Sequence, residues 1–372
     1  MNHPTAFVVP YRFHPPRNGG HKAAWGFAAA LAAQTPLMCI STTDNSAEAP
    51  PFTLHRILSR RVWRYVSPVT AWRCRQLFRR ESVGVCICFQ PFIALLLFPV
   101  ARLAGARSMV YVQNLEYRRF RSMGKPWWPL VKALEGWVYR RADQLLFISP
   151  DELPEAVQAF GLDTSRCTVV PYGVAESAPP TDRDAARQTL LQRHSWPAGE
   201  RLLLFFGPQD YQPNREAVQR IADKLFSFFK NKLKTPFRVI VCGGGLENVD
   251  PRLSYMGFVP DIETYIKAAD VVINPVTSGG GVKTKIIEAV ALGATVVSCA
   301  AGAEGVDREA CGDKLLVVAD YDDEAFATAV GEVLLSDYRP TPAFFYDFYN
   351  RDRAITPLLE VLAQTNRNNK QI

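Results

Sequence analysis

The chain has 372 residues, 48% hydrophobic and 21% charged, which exceeds what one core usually holds and excludes a disordered polyelectrolyte. Its net charge of +7 is uneven: residues 1–173 carry 21 Lys and Arg against 10 Asp and Glu, whereas residues 174–372 carry 22 against 26. The asymmetry points to an anionic partner for the first part.

The opening residues, MNHPTAFVVPYRF, show no charged segment followed by a long apolar run, so no signal peptide is expected. TAFVVPY predicts a strand, RFHPPRNGG a loop and HKAAWGFAAALAAQ a helix. PLMCIS predicts the next strand. Arg56 to Arg80 then holds eight arginines interleaved with Trp63, Tyr65, Trp72 and Phe78. Arg60, Arg61 and Arg64 around Trp63 suit an anionic membrane surface, with rings at the boundary and guanidiniums on phosphates. The same mixture suits nucleic acid, but no nucleic-acid motif accompanies it, so no such partner is expected. A plain solvated helix with its aromatics turned to the core is the third reading.

Val83 to Arg102 is the most apolar stretch, and Gln90 with Pro91 divides it into strand and helix rather than a membrane span. Cys86 and Cys88 within it are expected on opposite faces of a strand, against a metal role, and the eight scattered cysteines read as reduced thiols of a cytosolic protein. SMVYVQ, QLLFIS and CTVVPYGV continue the strands. YRRFRSMGKPWW, from Tyr117, repeats the basic and aromatic mixture and adds Arg118 and Arg119 to the candidate patch. This alternation predicts a parallel sheet with helices on both faces over residues 1–174.

AESAPPTDRDAARQ reads as a linker, after which the alternation restarts over 175–345. RLLLFFG, FRVIVCGGG, LSYMGF, DVVINPV, ATVVSC and KLLVVAD predict strands. PNREAVQRIADKLFSFFKNKL and DDEAFATAVGEVLL are among the helices between them. The expected fold class is α/β, with two doubly wound Rossmann-like domains facing a cleft. Residues 346–372 predict a helical tail packing back toward the first domain.

TSGGGVKTKIIEAVALGATVVS, Thr277 to Ser298, sits between a strand and a helix. Glycines at a strand's carboxyl end let an anion reach the free N–H groups of the following helix. Lys283, expected in the first turn, has the wrong sign for its own helix dipole, and a bound phosphate would explain it. Ile286, Ala289, Val290 and Gly293 form the expected buried face. A Gly-rich turn with a Lys285–Glu288 surface pair is the plain alternative.

Gly257 to Ser298, GFVPDIETYIKAADVVINPVTSGGGVKTKIIEAVALGATVVS, resembles the donor-binding core of retaining GT-B glycosyltransferases, especially glycosyltransferase family 4. FFGPQDYQPNREAV, YRRADQLLFISPDE, CTVVPYGV and PPRNGGHKAAWGFAAAL are similar to other parts of that family. The resemblance implies a nucleotide-diphosphate-sugar donor. Glu288 would bind the ribose, and the Gly257, Phe258 and Val259 backbone the base. Gly279, Gly280 and Gly281 would admit the sugar diphosphate, Lys283 and Lys285 would neutralise it, and Gly19 and Gly20 would lie beneath it. VQNLEYRRF resembles an acceptor-side segment, with Gln113 in place of His and with Asn114 and Glu116 as orienting groups; a strand end and helix cap is their plain reading. Two departures are Gly280, where the family often has a first Glu, and GPQDYQPN, which lacks the usual Arg and Lys.

Lys283, Glu288 and Glu116 are thus the catalytic candidates. Asp182–Asp184 and Asp320–Asp322 have metal-like spacing, but a linker and a helix cap account for them, so no metal and no cofactor is expected. The expected activity is hexose transfer with retention from a UDP- or GDP-linked sugar to a glycan or lipid-linked acceptor. The cytoplasm, at the inner membrane face, is the expected location. A GT-B nucleotide-sugar epimerase and a non-catalytic basic binding module are the rivals.

Overall fold

The computed structural model describes residues 3–16, 19–46, 48–247 and 250–368. They divide into two compact units: Met1–Ala175 with Gly280–Val282 and Tyr349–Ile372, and Glu176–Gly279 with Lys283–Phe348.

The first unit holds seven strands, β1 (Thr5–Val8), β2 (Leu37–Thr42), β3 (Thr53–Leu58), β4 (Val85–Cys88), β5 (Arg107–Val112), β6 (Gln144–Phe147) and β7 (Cys167–Val169). All pair in parallel, in the order β3-β2-β1-β4-β5-β6-β7. Between them run α1 (Gly19–Gln34), α2 (Pro68–Arg80), α3 (Pro91–Leu103), α4 (Glu116–Ser122), α5 (Trp128–Arg141) and α6 (Glu152–Phe160). β1 and β4 are buried throughout, as strands covered on both faces must be. Their order reverses the winding, so the loops after them diverge and open a crevice at the carboxyl edge.

Three expectations need correction here. Arg56, Ile57 and Leu58, read as the start of the basic segment, are the end of β3, an edge strand whose half-polar pattern follows from having one open side. The Arg56–Arg80 segment is a strand end, a short 3₁₀ turn (Val62–Tyr65) and α2, and Trp63 and Trp72 point to solvent; of its aromatics only Phe78 is fully buried. Cys86 and Cys88 share one face of β4, because side chains two apart on a strand point the same way, and both join the core cluster.

The second unit holds β8 (Arg201–Phe206), β9 (Phe237–Cys242), β10 (Ser254–Gly257), β11 (Val271–Asn274), β12 (Val296–Cys299) and β13 (Leu315–Val318), in the parallel order β10-β9-β8-β11-β12-β13. Its helices are α7 (Arg183–His194), α8 (Gln212–Arg220), α9 (Phe226–Lys232), α10 (Ile262–Ala268), α11 (Thr284–Ala291), α12 (Arg308–Cys311), α13 (Asp323–Leu335) and α14 (Ala343–Phe348). A π turn, Ile221–Leu225, joins α8 to α9. The expected linker is shorter than read: α7 takes its second half, because Ala186 and Leu190 bury against the sheet's helical layer while Asp182 pairs with Lys267 at 2.9 Å. The winding reverses between β8 and β11. α15 (Arg351–Ala354) and α16 (Thr356–Asn368) belong to the first unit, where Asn350 bridges Val174 and Arg107 donates to Thr365 Oγ1 at 3.0 Å.

Candidate functional site

In the second unit the loops after β8, β9, β10 and β11 leave the same edge of a parallel sheet and interlock through close backbone contacts. Gly207 and Gly243 end β8 and β9 with φ of 144° and 135°, and a Cβ on Gly243 would lie 1.8 Å from the Gly207 carbonyl oxygen. Only glycine admits that approach. The Gly243 N–H donates to the Gly257 carbonyl at 2.7 Å, which places Gly257, Phe258 and Val259 beside this turn; Phe258 is 58% exposed. Buried Gln209 ties the loop down, its N–H on Gly244 O at 2.8 Å and its Nε2 on Gly207 O at 2.8 Å.

The same loop reaches the glycine turn before α11. Gly279 has φ of 96°, and a Cβ there would lie 2.8 Å from the Tyr211 hydroxyl. Ser278 Oγ donates to Glu216 Oε2 at 3.0 Å. Asn214, buried, donates to Pro208 O at 2.8 Å and accepts from Lys285 Nζ at 3.3 Å. Arg220 fastens the floor: it pairs with Asp323 at 2.6 Å and reaches Pro275 O, just past β11, at 3.4 Å.

α11 begins at Thr284, so Lys283 is its cap residue rather than part of its first turn. The Lys283 N–H lies 3.4 Å from Glu304 O. No acidic residue occupies the first turn. Ile286, Ala289 and Val290 are buried as expected, and Gly293, with φ of 80°, follows Leu292 at the helix's end. Lys285 does not stand in solvent as a surface pair would need. Its Nζ lies 4.6 Å from the Phe205 ring centroid, and desolvation, then the Lys283 charge, lower its pKa to about 7. Glu288 lies one turn on, half-buried.

In the first unit Gly19 and Gly20 open α1, with the Gly20 carbonyl accepting from Tyr11 Oη at 3.4 Å; Arg17 and Asn18 of that loop lie outside the described residues. After β5, Asn114 Nδ2 donates to Glu116 Oε1 at 3.1 Å, and Arg119 Nε donates to Glu116 Oε2 at 2.8 Å with a second, shorter bond from Nη2. Glu116 is buried and begins α4. Arg118 pairs with Glu155 at 3.1 Å. Arg118 and Arg119, both placed in the candidate patch, thus each have a carboxylate partner. Buried Glu135, on α5, accepts the Glu116 N–H at 2.7 Å, the Tyr117 N–H at 3.0 Å and the Tyr139 hydroxyl at 3.0 Å. Desolvation raises its pKa to about 8, against the two backbone N–H bonds.

Two family models match consecutive parts of the chain: Glycosyltransferase Family 4 over residues 17–177 and Glycosyl transferases group 1 over residues 200–336. The chain belongs to the group 1 (family 4) glycosyltransferases. Among solved structures this glycosyltransferase resembles sucrose-phosphate synthase from Thermosynechococcus elongatus, at 15% identity over 99% of this chain and 98% of that one, with a TM-score of 0.70. It resembles HepE from Anabaena, solved with UDP and glucose, at 12% identity over 97% and 99%, TM-score 0.73. WaaG, a glycosyltransferase of lipopolysaccharide biosynthesis, aligns at 13% identity over 98% of both chains, TM-score 0.63. No curated protein matches. Two wound parallel sheets with these neighbours give the glycosyltransferase the GT-B fold.

Sequence reading missed Asn214, Gln209, Tyr211 and Arg220. Asn214 stood in plain view in the Pro-Asn helix start, but its partner Lys285 lies 71 residues away and no spacing links them.

Proposed function

We propose that this glycosyltransferase moves a hexose from a UDP- or GDP-linked sugar to a glycan or lipid-linked saccharide at an anionic membrane surface, with retention and without a metal or other cofactor. One observation carries the donor half: the start of α11 at the carboxyl edge of the second sheet, preceded by the Gly279–Gly281 turn, capped by Lys283 and free of acidic residues in its first turn. A helix start presents unbonded N–H groups and partial positive charge, the surroundings a pyrophosphate needs.

In the reaction the anomeric C–O bond to the diphosphate breaks and the bond to the acceptor oxygen forms on the same face. The acceptor proton passes to a diphosphate oxygen, and the nucleoside diphosphate departs with the charge it has gained. Lys283 and the α11 N–H groups stabilise that charge where it develops, with Lys285 behind them. Glu288 holds the ribose hydroxyls. Gly257–Val259 lie against the base, with Gly280 and Gly281 giving the sugar room and Gly19 and Gly20 serving the diphosphate. Asn114 and Glu116 orient the acceptor. The HepE structure with UDP and glucose supports this donor class.

Metal-free chemistry is supported by what the paired aspartates already do. Asp322 caps α13 through the Ala325 N–H at 2.9 Å, Asp320 accepts the Ala301 N–H at 3.1 Å, and Asp182 pairs with Lys267. Among the described residues no helix is long and apolar enough to cross a membrane.

The test is nucleotide titration followed by donor turnover. UDP or GDP should raise the melting temperature, and Glu288→Ala should remove that shift while leaving the unliganded melting temperature in place. Each charge-assisted bond lost is worth about 1.5–3 kcal/mol. A Glu288→Ala protein that binds nucleotide as wild type does, or a donor turnover abolished by chelator, defeats the reading in its donor or metal-free part respectively.

A further inference from the structure

The outward face of the segment between β3 and the end of α2 is occupied by side chains that a water-facing surface has no use for. Val62 is 73% exposed, Trp63 64% and Trp72 59%, and Val66 and Val69 are likewise open. These five lie within eleven consecutive residues. α2 sorts its sides cleanly: Thr70, Cys74, Leu77 and Phe78 are buried, whereas Val69, Trp72, Arg73, Gln76 and Arg80 share the opposite side. Ser67 fixes this rotation by capping the helix through the Thr70 N–H at 3.2 Å, with Pro68 in the first turn.

Cations surround this apolar ridge. Arg60 has Asp44 at 3.5 Å and Arg80 has Glu81 at 2.8 Å. Arg61, Arg64, Arg73 and Arg79 have no ion pair among the described residues. Between β3 and α2 a cleft of 620 Å³ is lined by His55, Ile57, Trp72, Arg73, Arg79 and Arg80. Trp and Val beside unpaired arginines match the layered chemistry of a bilayer face, apolar at the acyl boundary and anionic at the phosphates. A protein partner would cover a ridge of this kind too, but a partner seated on four unpaired arginines would have to be strongly acidic, while a lipid surface supplies both halves at once.

We propose that residues 61–80 dock on an anionic phospholipid bilayer, with Val62, Trp63, Val66, Val69 and Trp72 entering the headgroup boundary and the arginines around them on lipid phosphates. The proposal deepens the acceptor half of the proposed function and rests on it for its purpose. It also explains how a chain without a spanning helix among its described residues reaches a lipid-linked acceptor. None of residues 61–80 has a part in the proposed nucleotide site, so the two readings fail separately.

The experiment is flotation of the full chain with phosphatidylcholine vesicles and with equimolar phosphatidylcholine–phosphatidylglycerol vesicles, with tryptophan emission read alongside. Binding is expected to the anionic vesicles only, with a blue shift, and to fall as salt rises. Val69→Ser with Trp72→Ala should weaken partition about tenfold, since each large side chain withdrawn forfeits part of its burial free energy. Arg73→Gln with Arg79→Gln should weaken it about thirtyfold, at about 1 kcal/mol per arginine removed. UDP titration of the same variants should match wild type, which shows them folded. Absence of flotation with anionic vesicles, flotation unchanged in both variants, or preferential binding of a single-stranded oligonucleotide with the same Trp72 dependence would each overturn the proposal. Failure of both UDP and GDP to bind wild type would instead remove the donor reading and leave the vesicle result standing.

Discussion

Two helix starts, one in each unit, are treated in opposite ways. α4 begins after β5 and receives a carboxylate from within the fold: Glu135 accepts the Glu116 and Tyr117 N–H groups, and Glu152 accepts the Leu115 N–H at 3.3 Å. α11 begins after β11 with glycines before it, a lysine at its cap and no acid in its first turn. Both lie at the carboxyl edge of a wound parallel sheet, where the strand order alone would allow a ligand. The chain's own carboxyl groups fill one and cations flank the other. The two starts thus differ less in the fold around them than in their own first turns, which hold an acid in α4 and none in α11.

The sharpest way to break this comparison is to remove the cation from the open start. Lys283→Ala should lower kcat by about 10²–10³-fold, the cost of losing one group preorganised on developing charge. The melting temperature of the unliganded protein should hold or rise slightly, because a cation at a helix start opposes the dipole. A variant with wild-type turnover would mean that α11 does not receive the diphosphate.

The closed start should respond in the reverse sense. Glu135→Leu leaves two buried N–H donors and the Tyr139 hydroxyl without an acceptor, at about 1–3 kcal/mol each, and thermal unfolding should show a large drop. The wild-type carboxyl also sets a pH dependence. Its pKa is raised to about 8, so the folded chain keeps a proton that the unfolded chain has released well below that value. The associated stability is present in acid and is lost as pH rises through about 8. Glu135→Gln should flatten the profile over that window. A profile equally steep in the variant would assign it to other groups.

Much of this contrast was legible before any coordinates, and the reasons are specific. β1, β4, β8 and β11 read as unbroken apolar runs because both their faces are covered, and the glycines at 279–281 declare themselves by number and by position before a helix. β3 did not, because an edge strand carrying His55 and Arg56 imitates a polar segment. Trp63 and Trp72 were read as core aromatics in one alternative, since large rings are buried more often than not; only the rotation of α2, fixed by Ser67, turns Trp72 outward. Glu135 sits in the middle of LEGWVYRR with nothing to mark it. Its role depends on the packing of α5 against the start of α4, which no local pattern encodes.

The smallest effect concerns Lys285, whose position behind the open start was invisible in sequence because the first turn of a helix can face either way. Held against Phe205 and Asn214 with Lys283 nearby, it has a pKa of about 7, far below an ordinary lysine. Near neutrality it is therefore only partly charged. A pyrophosphate arriving at α11 supplies the opposite charge and favours the ammonium form, so nucleotide binding at a pH near 8 should draw a fraction of a proton from solution. Calorimetric titration of UDP in phosphate and in Tris, buffers of unlike ionisation enthalpy, should give apparent enthalpies that differ, and affinity should weaken as pH rises above about 7. Lys285→Met keeps the contact with Phe205 while removing the titrating group, and should abolish both the buffer difference and this part of the pH dependence. Identical enthalpies in the two buffers for wild type would place Lys285 outside the anion's field and confine the open start to Lys283 and the backbone.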